Sequence, residues 1–225
     1  MAGAPQDFGQ PYVLEDFLPV EQPTTSTLLC AMCHKESSRQ RCSGCKNVKY
    51  CSTDCQSSHW ATHKLLCKAF VDTQDTRPSP KSRRALYFPT DVARPRFIWL
   101  EYNIDGAPLD MQKCFPTTPK EEIKTIGFYD RYLPYWIQLS YDSNLHSQRI
   151  LSKNMSIGHA FRGPVVALAY DPESGLGKPA LDVDTTILGA LREYAKLREE
   201  YHGPIFVEQP QHRYSDEEWK KIVRP

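Results

Sequence analysis

Seven cysteines and one histidine between residues 30 and 67 are the side chains most able to do chemistry: Cys30-x2-Cys33, x8, Cys42-x2-Cys45, x5, Cys51-x3-Cys55, x7, His63-x3-Cys67. Four ligand-spaced pairs give eight ligands, the number that two tetrahedral zinc ions take. A C-x2-C pair puts two thiolates on one tight turn, close enough to share a metal at a Zn–S distance of about 2.3 Å. The x3 pairs would work differently, since residues four apart on a helix stack on one face about 6 Å apart. Cysteines buried merely as small hydrophobes have no reason to fall into four such pairs within 38 residues. A stretch that short cannot fold on apolar burial alone, so each structural zinc, at about 10–16 kcal/mol apparent, supplies the fold. Protein atoms fill every coordination position, which disfavours metal-assisted hydrolysis and makes the metal structural. Spacing leaves the pairing open. A sequential scheme takes 30/33/42/45 and 51/55/63/67, and a crossed scheme interleaves them. Cys114 has no ligand-spaced partner and reads as an ordinary thiol, and His34 reads as a solvated side chain.

The elements around this module divide the chain. Residues 1–29 carry Pro5, Pro11, Pro19 and Pro23 and read as a mostly disordered tail. Within it Tyr12, Val13, Leu14, Phe17 and Leu18 form a patch that could dock elsewhere or add a strand to the domain. Residues 30–67 are the metal module, 68–84 have the Pro, Ser and charge content of a linker, and 85–225 read as a globular α+β domain. In that domain Phe97–Leu100 with Tyr102, the alternating Ile137, Leu139 and Tyr141, and Val165–Tyr170 predict strands. Ile187, Leu191, Tyr194, Leu197 and Tyr201 make the stripe of a helix over 184–201, with Asp184 as N-cap and Gly203 beyond its end. Thr118–Glu121 and Ser215–Glu218 have the form of capping boxes opening short helices.

Composition excludes several classes. Twenty-eight Lys+Arg against 27 Asp+Glu give a net charge of +1, without the basic excess of a protein that coats nucleic acid. Within 30–67, six basic residues against two acidic ones give +4, and seven thiolates with two zinc ions bring the loaded module to about +1. The longest apolar run, Val165–Tyr170, is far short of a membrane span. The N-terminal residues have neither a basic start nor an apolar stretch, so an intracellular place, nucleus or cytoplasm, with reduced thiols is expected. Lys81, Arg83 and Arg84 read as a solvated basic turn, with a weak nuclear-import patch as the alternative. There is no Gly-x-Ser-x-Gly, Gly177-Lys178 is followed by Pro179 and not Ser/Thr, and His146, His159, His202 and His212 lack paired acids at triad spacing, so no catalytic residue is assigned.

The module resembles the MYND zinc finger, and the resemblance extends past the ligands to Cys42-Ser43-Gly44-Cys45, Tyr50-Cys51-Ser52, Cys55-Gln56 and Trp60-x2-His63-Lys64. It implies a small treble or cross-brace two-zinc fold. Cys30, Cys33, Cys51 and Cys55 then hold the first zinc, and Cys42, Cys45, His63 and Cys67 the second. It also implies that His63, and not His59, is the ligand. The family likeness further implies protein recognition, with proline-containing peptide segments lying beside the module's hairpin and helix. The positions matching the family's peptide contacts are Ser43, Gln56 and Trp60. Trp60 would offer an apolar platform, and Ser43 and Gln56 would satisfy an extended backbone. The expected function is therefore a zinc-binding interaction adaptor, with a role in transcriptional regulation as one form of it. The enzyme alternative is disfavoured. SET-type methyltransferases with such fingers carry an Asn-His motif that this chain lacks, and RING ubiquitin ligases place their histidine among the middle ligands, whereas here it is seventh of eight.

Overall fold

The computed structural model describes residues 12–14, 18–19, 29–33, 40–124, 126–128, 131–133, 135–158, 160–172, 174–200 and 205–207. Outside these lie most of the tail expected over 1–29, His34, the helix end at Gly203 and the helix start expected at Ser215–Glu218. In chain order the elements are β1 (Tyr12–Leu14), β2 (Leu18–Pro19), β3 (Gln40–Arg41), β4 (Lys49–Tyr50), α1 (Thr53–His63), α2 (Cys67–Thr73), β5 (Ser82–Phe88) and β6 (Arg96–Glu101). They continue with β7 (Lys120–Lys124), β8 (Gly127–Phe128), β9 (Arg131–Tyr132), β10 (Trp136–Tyr141), α3 (Leu145–Ile150), β11 (Val165–Tyr170), α4 (Ile187–Glu200) and β12 (Ile205–Val207). No helix among the described residues is long and apolar enough to cross a membrane.

The main sheet is antiparallel with strand order β6-β5-β11-β10-β7. All six residues of its central strand β11 are buried. Side chains alternate across a strand, and here the alternation feeds two cores. Val165, Ala167 and Ala169 join the cluster that holds Leu86, Ile137, Leu139 and the buried side of α4, while Val166, Leu168 and Tyr170 join Leu100, Tyr102, Met111 and Phe115. Because both faces are covered, the polar Gln138 and Ser140 of β10 are buried at 5% and 0% exposure.

Several expectations change in the structure. Thr118–Glu121 opens no helix, because Lys120–Lys124 pairs along β10 from Tyr141 to Ile137, and sheet pairing overrides the local capping signal. The predicted helix at 184–201 begins at Ile187. Asp184 Oδ1 accepts bonds from Thr186 N at 2.8 Å and Thr186 Oγ1 at 2.6 Å, forming a turn just ahead of it. The stretch 68–84, read as linker, contains most of α2 and the first residues of β5. Arg84 there is 8% exposed. Its guanidinium lies 4.3 Å from the Phe70 ring centre, 5.4 Å from that of Phe97 and 5.6 Å from that of Trp99, and Nε donates to Val183 O at 2.7 Å. Arg84 is thus withdrawn from the basic run, while Arg83 is half-buried and Lys81 stays exposed in the turn. Within 1–29, Tyr12–Leu14 pairs in parallel with Ile205–Val207, and Leu18–Pro19 with β9.

The loop before β11 is held by one amide. Asn154, fully buried, donates from Nδ2 to Phe88 O at 2.9 Å and Gly163 O at 2.8 Å, and its Oδ1 accepts from Ser156 N at 3.0 Å and Ile157 N at 3.2 Å. Asn154→Ala strands these buried backbone groups and should lower stability by about 2–4 kcal/mol in chemical denaturation. A loss below about 1 kcal/mol would mean that water replaces the amide.

Candidate metal centre

The four ligand pairs are positioned by short-range geometry. Ala31 N donates to Lys49 O at 2.9 Å, which lays the first knuckle along β4 and brings Cys30 and Cys33 beside Cys51, the residue after that strand. Cys33 Sγ and Cys51 Sγ are 3.6 Å apart. In the second knuckle Cys42 N donates to Val48 O at 2.9 Å and Lys46 N to Cys42 O at 3.0 Å, with Lys46 at φ 56° closing the turn. Glycine at position 44 gives the sulfur room: a Cβ there would lie 3.1 Å from Cys67 Sγ, which would have to shift by a few tenths of an ångström.

Neither x3 pair lies within one helix. Ser52 is the N-cap of α1, its Oγ accepting from Cys55 N at 3.2 Å, so Cys51 precedes the helix and Cys55 sits in its first turn. His63 closes α1 and Cys67 opens α2. The ligands therefore occupy helix ends, where the chain changes direction and two elements converge on one point.

The ligand atoms of Cys30, Cys33, Cys51 and Cys55 all lie within 4.8 Å of one another, as do those of Cys42, Cys45, His63 and Cys67. The crossed sets come together, and the sequential sets do not. A tetrahedron with Zn–S of about 2.3 Å has edges of about 3.8 Å. Cys51 and Cys55 sulfurs are 3.5 Å apart, Cys42 and Cys67 sulfurs 3.7 Å, and His63 Nε2 is 3.3 Å from Cys42 Sγ and 3.7 Å from Cys45 Sγ. Both donor sets thus have the chemistry and the spacing of a closed zinc site. Cys114 stands in a 3-10 turn outside both sets.

The surroundings favour thiolate at Cys30 and Cys42 and neutral imidazole at His63, and disfavour thiolate at Cys67. Burial pushes the Cys30 thiol up, but backbone hydrogen bonds from Cys33, Cys51 and Met32 outweigh it and bring the pKa down to about 7. The same opposition acts at Cys42, where burial is outweighed by backbone bonds from Cys45 and Gly44. Burial lowers the pKa of His63. Cys67 is pushed up to about 12, by burial first and then by its neighbouring sulfurs, so zinc must supply the charge that lets four donors share one site.

Other contacts of the finger have no sequence signal. His59 is 2% exposed, with Nδ1 2.9 Å from the Tyr50 hydroxyl, and belongs to neither ligand set. His63 Nδ1 lies 3.0 Å from Thr185 Oγ1, and Asn47 Nδ2 donates to Asp184 Oδ2 at 3.1 Å. Separations of 122 and 137 residues put these pairs beyond any local pattern. Of the expected peptide contacts, Ser43 is exposed in the second knuckle, Gln56 is half-buried and Trp60 is 49% exposed one turn further along α1.

An interleaved two-site metal finger packed on a mixed sheet-and-helix domain is the class that this geometry defines. Residues 30–67 match the MYND finger family model, and this segment is a MYND-type zinc finger with two four-ligand sites. The chain is 43% identical over 109 residues to ubiquitin carboxyl-terminal hydrolase 19 of Arabidopsis thaliana, an alignment covering 48% of this chain and 16% of that protein. It is 39% identical over 61 residues to SET domain and MYND-type zinc finger protein 6 of Schizosaccharomyces pombe, covering 27% and 13% of the two chains. Identity to the zinc finger MYND domain-containing protein 10 homolog of Drosophila melanogaster is 47% over 38 residues, covering 17% and 8%. The chain thus spans less than a fifth of the length of these relatives. No solved structure matches it.

Acid should release the metal. His63 is held neutral below its ordinary value of 6.5, so the unfolded chain takes up a proton that the folded chain refuses. Its contribution is complete above that value and declines as the pH falls below it, in the same direction as proton competition for the thiolates. Zinc transfer to a colorimetric chelator should therefore be slow at pH 8 and rise steeply on acidification, with loss of α1 helicity by circular dichroism. Retention of both metals and full helicity at pH 4 would contradict this account.

Proposed function

We propose that the protein is a zinc-dependent interaction adaptor whose finger takes proline-containing segments of partner proteins. One observation carries this reading. Trp60 leaves about half its surface open on a helix that carries the ligands Cys55 and His63, in a module with every coordination position filled. A large aromatic ring in that state offers apolar contact to proline or leucine at little conformational cost. Gln56, one turn earlier, and Ser43, in the second knuckle, provide the polar groups that an extended backbone needs. MYND fingers are protein-interaction modules, and the likeness to a protein named for a SET domain and a MYND-type zinc finger supports recognition as the finger's part. A transcriptional form of the reading has only Lys81 and the half-buried Arg83 left of its basic run, since Arg84 is stacked in the interior.

Trp60→Ala should weaken binding of a fluorescently labelled proline-containing peptide pool by at least about 2 kcal/mol, roughly 30-fold in anisotropy titrations. Zinc content should remain at two per chain and stability should change by less than about 1 kcal/mol. Unchanged affinity in the alanine chain would remove the reading's main support.

A further inference from the structure

We propose that Thr185 is a positioning residue for the second zinc site, and that through it the sheet domain senses whether that site is occupied. His63 and Thr185 are both fully buried. Nε2 of His63 faces the sulfurs of Cys42 and Cys45, and its Nδ1 lies 3.0 Å from Thr185 Oγ1. With the Nε2 lone pair directed at the metal, the proton resides on Nδ1 and is donated to the threonine hydroxyl. That bond fixes both the tautomer and the ring plane of the ligand, the task that outer partners of metal-bound histidines perform.

Thr185 is itself anchored on both sides. The preceding segment is bonded to the sheet, Val183 N to Arg84 O at 2.9 Å and Arg84 N to Asp182 Oδ1 at 2.8 Å. Asp184 takes a hydrogen bond from Asn47 of the second knuckle and caps Thr186, and α4 starts at the next residue. Cys42, Cys45 and Leu66 of the finger share one contiguous core with Leu188 and Leu191 of α4. A metal lost from the second site therefore frees His63, releases a buried hydroxyl and loosens the turn from which α4 departs. The first site is placed differently, with Cys33, Cys51 and Cys55 only partly buried at the first knuckle and the start of α1.

The test uses the full chain. Thr185→Val should lower zinc affinity at the second site about 10- to 100-fold in chelator competition and alter the visible bands of the cobalt-substituted protein, with Thr185→Ser restoring both. Cys67→Ser, which disables the second site, should speed hydrogen exchange of α4 amides about 10-fold or more, and Cys33→Ser, at the first, by less than about threefold. Wild-type zinc affinity and an unchanged cobalt spectrum in Thr185→Val would overturn the positioning role. Equal acceleration of α4 exchange in the two cysteine variants, or none in either, would overturn the coupling. Should the valine chain not fold, Asn47→Ala, which removes the exposed bond from the second knuckle to Asp184, carries the coupling test. Faster α4 exchange supports it, and unchanged exchange refutes it.

Discussion

Metal–thiolate bonding is the interaction on which the rest of the molecule depends. The 38 residues of the finger hold one two-stranded ribbon, β3 and β4, and the helix α1, whose own burial is too small to order them. Each bond between sulfur and zinc replaces apolar area that the segment lacks. The interleaving of the two sets has a mechanical result as well. Because Cys51 and Cys55 belong to one ion while the flanking Cys42, Cys45 and His63 belong to the other, neither half of the finger can open without straining the other. The backbone amides of the two knuckles prepare for this by favouring thiolate at Cys30 and Cys42 before metal arrives.

The finger is continuous with the domain behind it. Phe70 of α2 meets Phe97 of β6 edge to face at 5.8 Å, with the guanidinium of Arg84 against the same ring. A buried arginine in that place is neutralised by position and not by a partner on its own strand: aromatic faces, a carbonyl at Val183 and the nearby Asp182 share the task. This arrangement joins metal module and sheet where composition suggested a flexible connection.

How far the sequence could be read follows from the range of each signal. The metal ligands announce themselves because coordination restricts both residue type and spacing, and strands such as Val165–Tyr170 do so because an uninterrupted apolar run has few other uses. The pairing of ligands was open to spacing and was favoured only by family likeness, since chelate turns of both kinds fit either scheme. The capping signal at Thr118–Glu121 failed because a charged edge strand, Lys120–Lys124, gains ladder bonds that no local pattern reveals. Arg84 appeared solvated because its aromatic neighbours come from two other elements, Phe70 from α2 and Phe97 and Trp99 from β6. Thr185 was silent for the same reason, being one hydroxyl in a turn whose partner is 122 residues away.

That last separation also orders events during synthesis. All eight ligands have left the ribosome long before Thr185 is made. At about 5–20 residues per second, the 122 residues between His63 and its hydroxyl partner correspond to roughly 6–24 s. In that interval the second site exists with its histidine ring unsupported, while the first, whose ligands end at Cys55, has all its donors in hand. The nascent chain thus passes through a stage with one finished and one provisional metal site. The finger reaches its final form only when the far end of the sheet domain arrives to hold it.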